Sequence, residues 1–138
     1  MGELKRFGVS LDSDLLKQFD VLIKKKGYNN RSEAIRDLIR NDIVEEKWED
    51  DTEESVGAIT LIYDHHQHGL NSKLISKQHD SSADIKATLH IHLDHHYCME
   101  VIVVGGEIKT IKKIADELIG LRGVKHGKLS ATGWKDLT

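Results

Sequence analysis

His90, His92 and Cys98 lie within nine residues of one another in the segment ATLHIHLDHHYCMEV, and Cys98 is the only cysteine of the chain. Two imidazoles and a thiolate are ligands for a nitrogen-loving late transition metal, not for oxygen-seeking magnesium or calcium. Leu89, Ile91 and Leu93 alternate with Thr88, His90 and His92, so on a strand both imidazoles point to one face and the aliphatic groups to the other. The polar DHHY segment reads as a hairpin turn that brings Cys98 back beside the two histidines. Three ligands make an incomplete shell. His79, near the end of the preceding helix, is the candidate fourth; that helix cannot easily turn its side chain to the bare sheet face of its own chain, so a neighbouring subunit is expected to supply it. His65, His66, His68, His95 and His96 stand in polar segments and read as solvated, and His126 reads as structural.

The elements that must hold these residues follow from periodicity. VGAITLIY reads as a strand, GLNSKLISKQHDS as a helix, ADIKATLHIHLD and YCMEVIVVG as two strands, EIKTIKKIADELIGLRG as a strongly amphipathic helix and VKHGKLSA as a last strand. The succession βαββαβ predicts a ferredoxin-like sandwich with helices on one sheet face and the other face free for a partner.

A different module precedes it. In LKRFGVSL, Phe7, Val9 and Leu11 alternate with Arg6, Gly8 and Ser10, the pattern of a half-buried strand. Asp12 or Ser13 can cap a helix carrying Leu15, Leu16, Phe19, Leu22 and Ile23 and ending at Gly27. A second helix starts at Asn30, three residues before Glu33, and carries Ala34, Ile35, Leu38, Ile39, Ile43 and Val44. One short strand and two amphipathic helices cannot satisfy an edge or cover both stripes alone, whereas two copies pairing their strands can. Such a two-stranded ribbon, with Arg6, Gly8 and Ser10 outward, fits the major groove of DNA.

Bulk properties fit this division into an α+β chain: residues 1–48, an acidic linker 49–54, and residues 55–138. Of 20 basic and 23 acidic side chains, giving a net charge of −3, ten basic and nine acidic fall in each outer segment. The surplus acidity belongs to the linker, so it does not argue against a nucleic-acid partner. A lone cysteine makes no intrachain disulfide, no apolar run reaches the ~18 residues of a membrane span, and a cytoplasmic protein is expected. Aromatic residues at 5% offer no stacking platform for single strands.

With both modules in place, the chain resembles the nickel-responsive ribbon-helix-helix repressors of the NikR family over essentially its full length. RFGVSLDSDLLKQFD, NRSEAIRDLIR, KQHDSSADIKATLHIHLDHHYCMEV and RGVKHGKL carry the likeness, and the spacing of His79, His90, His92 and Cys98 matches the family's nickel ligands. The resemblance implies a square-planar Ni(II) site with His90, His92 and Cys98 from one subunit and His79 from another, in a homotetramer whose ACT-like metal domains form the core. It also implies that Gln78 and Glu100 orient the ligands. Glu33 and Asp37, like charges one helical turn apart that either a cation or Arg36 and Arg40 could relieve, match a second cation site. Main-chain carbonyls near Ile119, Leu121 and Val124 would contribute to that site. The ribbon departs from the family's Arg-x-Thr-x-Thr, having Arg6, Gly8 and Ser10 instead. Arg6 is the expected base reader, and the backbone N–H groups near Asn30 and Arg31 the expected phosphate anchor.

The function that follows is a regulator of transcription: nickel shifts the tetramer toward a form whose two ribbons grip one palindromic operator, repressing nickel uptake genes. On residues alone two other classes stay open, a metal-trafficking or storage protein that merely dimerises through its first module, and a regulator sensing a small molecule such as an amino acid. Catalysis is not expected. No nucleophile–base pair or phosphate-cradling glycine loop stands out.

Overall fold

The computed structural model describes residues 2–137, which divide into two compact units, residues 2–43 with 136–137 and residues 44–135, the first boundary falling within the second helix. In the first unit, α1 (Ser13–Lys25) is capped by Asp12, whose carboxylate accepts the Asp14 N–H at 2.9 Å. It ends before Gly27, at φ 84°, a left-handed conformation that glycine adopts without steric penalty. The second helix, α2 (Arg31–Glu49), opens with the Asn30 side chain accepting from the Glu33 N–H at 2.9 Å.

Residues 4–11 form no strand in the single chain, contrary to the sequence pattern. The physical reason is that a lone strand has nothing to bond to. Phe7, Val9 and Leu11, the intended inner face, are exposed, as are Leu15, Leu22, Leu38, Ile39 and Ile43 of the two helices. An apolar surface of this extent marks an association face.

The second unit contains β1 (Glu54–Asp64), α3 (Leu70–Asp80), β2 (Asp84–His92), β3 (Tyr97–Glu107), α4 (Ile108–Ile119) and β4 (Val124–Thr132). These form one antiparallel sheet in the order β2-β3-β1-β4, the ferredoxin-like arrangement. Its core joins Ile59, Leu61 and Tyr63 of β1 and Ile102 and Val104 of β3 to Leu70 and Leu74 of α3 and Ile108, Ile111, Ile114 and Leu118 of α4. The alternation in β1 and β3 is that of a sheet covered on one face. The opposite face carries Thr60, Ile62, Met99 and Val101, with Leu89 and Ile91 of the edge strand exposed.

The acidic segment is folded into this unit and does not hang free between modules. α2 runs to Glu49, and Trp48 is buried with its indole N–H donating to the Thr132 carbonyl at 2.9 Å. The Glu53 and Asp51 carbonyls accept the first N–H groups of α4, from Ile108 at 2.9 Å and Lys109 at 3.1 Å. Lys112 donates to the Asp51 carboxylate at 2.9 Å. Carboxylates gathered at a helix N-terminus face the positive end of its dipole.

Candidate metal centre and nucleic-acid interface

The hairpin register sets His92 opposite Cys98 and His90 opposite Glu100. Pairing of β1 with β3 sets Tyr63 on the other side of Cys98. Residues directly opposite in an antiparallel pair share a face, so His90, His92, Cys98, Glu100 and Tyr63 all point to the helix-covered side. This corrects the expectation that the ligands occupy the bare face. Cys98 and Glu100 are buried there, while His90 and His92, on the edge strand beyond the helices, stay exposed.

The thiol of Cys98 lies 3.4 Å from His92 Nδ1 and 3.3 Å from His65 Nδ1. These three donors lie within 4.8 Å of one another. Ligand atoms at right angles around one ion, with bonds of about 2.0–2.3 Å, stand roughly 3 Å apart, so the cluster has close to the spacing a metal would impose. An all-nitrogen-and-sulfur set fits a late transition ion. Burial, then the Glu100, Asp64 and Asp94 carboxylates, pushes the Cys98 thiol up from its ordinary pKa. His65 is pushed down, by burial first and then by His66 and His92, which favours its neutral, ligating form.

The sequence alone reads His65 as a solvated loop histidine. Continuing the period of β1 two residues beyond Tyr63 would have put it on the Cys98 face, but that face becomes a site only through the β1–β3 pairing. Its backbone N–H extends that pairing by donating to the His96 carbonyl at 2.9 Å.

His90 stands beside the cluster, its ring 5.1 Å from that of His92. Its Nδ1 lies 3.1 Å from the Tyr63 hydroxyl and 3.4 Å from Glu100 Oε1, so Nε2 is the ring nitrogen turned away from these two partners. The Tyr63 hydroxyl also donates to Glu100 Oε1 at 3.3 Å. Desolvation, reinforced by Glu100, raises the tyrosine far above its ordinary range, so it stays a donor. Glu100 Oε2 is buried with no hydrogen-bond partner among the described residues. A carboxylate so placed belongs to an incomplete polar network, the situation expected where ligands are oriented by outer groups. Gln78 donates to the Leu74 carbonyl at 3.1 Å and accepts from Thr88 at 3.5 Å, which ties the end of α3 to the strand bearing the histidines. His79 is 87% exposed and takes no part in the cluster of its own chain.

In the first unit, the Asp37 carboxylate accepts from the Tyr28 hydroxyl at 2.7 Å and from Arg40 at 3.3 Å. The repulsion between Glu33 and Asp37 is thus relieved by a hydroxyl and a guanidinium of the protein itself, and Asp37 is not a free cation ligand here. Arg31 makes a bidentate pair with Asp20 at 2.8 and 2.9 Å. Arg6, Gly8 and Ser10 lie along the exposed arm.

Residues 56–132 match the family described as the NikR C-terminal nickel-binding domain, and residues 5–46 match the ribbon-helix-helix proteins of the copG family. A protein of Geobacter metallireducens named for nickel-responsive regulation is 58% identical, covering 96% of this chain and 95% of its own length. A like-named protein of Geobacter sulfurreducens is 59% identical with the same coverage, and one of Caldanaerobacter subterraneus 58% identical over 92% of this chain and 82% of its own. Among solved structures, the ACT domain of a Chlorobium tepidum GTP pyrophosphokinase aligns with TM-score 0.48 and 10% identity over 56% of this chain and 99% of that chain, too distant to carry an argument.

Proposed function

Because the chain belongs to the NikR family of nickel-responsive regulators, we propose that its nickel is held by His90, His92 and Cys98 of one subunit and His79 of a neighbouring one. The protein is a nickel-responsive transcription regulator and not an enzyme, with a ribbon-helix-helix DNA-binding module and an ACT-like nickel-binding domain. The observation that carries the ligand assignment is the approach of His92 Nδ1 to 3.4 Å from the buried Cys98 thiol, with the His90 ring 5.1 Å from that of His92. These residues would hold the ion, which when bound would tie a donated His79, near the end of α3, to the strands that bear the other three ligands. Tyr63 and Glu100 hold Nδ1 of His90 so that its other nitrogen faces the ion.

The assembly is a tetramer of two ribbon dimers, supported by the apolar faces that a single chain leaves open in both units. Such an assembly binds a palindromic operator in the cytoplasm, its second ribbon engaging intramolecularly after the first. Nickel favours the gripping form by its differential affinity for it, so loaded protein represses nickel uptake genes. Asp37 forms a second cation site with Glu33 only where a cation displaces Arg40 and Tyr28.

The test is a gel-shift titration of promoter and random DNA, with and without Ni(II), beside calorimetry of nickel binding. Expected is nickel-dependent, promoter-selective binding by the natural protein and its loss in Cys98→Ala and His92→Ala with the fold intact. Unchanged nickel response in either variant overturns the ligand assignment. Nickel binding without any DNA preference would instead favour a storage role.

A further inference from the structure

Gly8 occupies the middle of the alternating set Arg6, Gly8, Ser10, and none of the described residues requires a glycine there. A Cβ built at Gly8 meets no atom within 4 Å, and its φ lies outside the positive region that makes glycine necessary at Gly27, Gly69, Gly106 and Gly123. In a strand, glycine brings no packing and loses more backbone freedom than any other residue. Ribbon pairing therefore gains nothing from it. What the position gains is found on the side that faces DNA.

We infer that Gly8 is a specificity-determining gap: it leaves one base-pair step of each operator half-site unread, between a step contacted by Arg6 and a step contacted by Ser10. This rests on the reading of the arm as a DNA-binding ribbon. Base identity in the major groove is read by side-chain donors, acceptors and methyl groups reaching the base edges. A glycine offers none of these, and in the paired ribbon its amide groups would be taken up by the partner strand. Arg6 carries a planar fork suited to guanine and Ser10 a short hydroxyl, so the outer positions can read while the middle one cannot. The middle step is then chosen only through the shape and stiffness of the duplex.

The experiment selects binding sites from a randomised duplex pool with the full-length nickel-loaded protein, comparing the natural chain with Gly8→Asn, Arg6→Ala and Ser10→Ala. The alanine variants locate the two outer steps by the preferences they erase. The inference expects the natural protein to show little preference at the step between them. It expects Gly8→Asn to install a preference for adenine there, about tenfold over other bases, with nickel affinity unchanged. A strong natural preference at that step, equal to its neighbours, overturns the inference, as does an unchanged profile in Gly8→Asn. A pool from which nothing is enriched sinks the DNA-binding reading itself and this inference with it.

Discussion

A buried thiol among carboxylates is a poor metal ligand until it loses its proton, and Cys98 is held in that state by its surroundings. Burial and the charges of Glu100, Asp64 and Asp94 raise its pKa, so in metal-free protein at neutral pH it is S–H. Nickel needs the thiolate. Binding must therefore release about one proton per site at neutral pH, and apparent affinity must rise as pH rises toward the elevated thiol pKa. A nickel titration in weak buffer with an indicator measures this directly; release by Cys98→Ala equal to that of the natural protein would remove sulfur from the site. Glu100 acts one step further out, through His90. Glu100→Gln is expected to weaken nickel affinity about tenfold or more while keeping the ligand-field absorption of the natural site, since no donor is lost. A changed spectrum would mean Glu100 itself touches the ion.

Each element of the second unit is placed by its apolar period, and some contacts between elements leave no slack. At Gly127 an added Cβ would stand 2.5 Å from Ile119 Cγ1. Gly127→Ala must push α4 off β4, at a cost of about 1–3 kcal/mol, read as a lower denaturation midpoint. In the first unit the Arg31–Asp20 fork ties the start of α2, the proposed phosphate anchor, to α1. Asp20→Asn frees the guanidinium. Binding to random DNA should tighten, and the slope of log affinity against log salt should steepen by about one per chain; an unchanged slope would make Arg31 a staple and nothing more. The order βαββαβ was legible because each stretch has a clear period and length. Three things were not. The arm reads as a strand yet has no partner within one chain. His65 sits in the polar run HHQH, and only the β1–β3 pairing, a long-range contact, gives it a neighbour in Cys98. The side of the sheet that the helices cover was hidden as well, because β2 alternates histidine with aliphatic residues and is an edge strand exposed on both faces. Aliphatic alternation there marks an association face, not the core.

At the scale of the whole molecule, the ligand assignment requires that no subunit hold nickel by itself. The alternative within one chain is the His65, His92, Cys98 cluster, which would need no partner. Mixed assemblies separate the two. His79→Ala subunits lack the donated imidazole, and Cys98→Ala subunits lack the sulfur, so in the proposed tetramer neither variant alone has a complete site. When the two are co-refolded in equal amounts, half of the reciprocal pairs are mixed. Each mixed pair rebuilds one of its two sites, because the intact triad of one chain meets the intact His79 of the other. About a quarter of the tight sites should return, counted by nickel titration, together with the absorption of the natural site. If His65 completed the shell within a chain, the His79→Ala homotetramer would bind nickel tightly unaided, and mixing would add nothing to it. The same mixture bears on coupling. A tetramer with one rebuilt site carries less of nickel's differential affinity than one with four, so its promoter binding should fall between metal-free and fully loaded protein. Full promoter affinity from a single site would mean that nickel orders the assembly as one body and does not add its effect site by site.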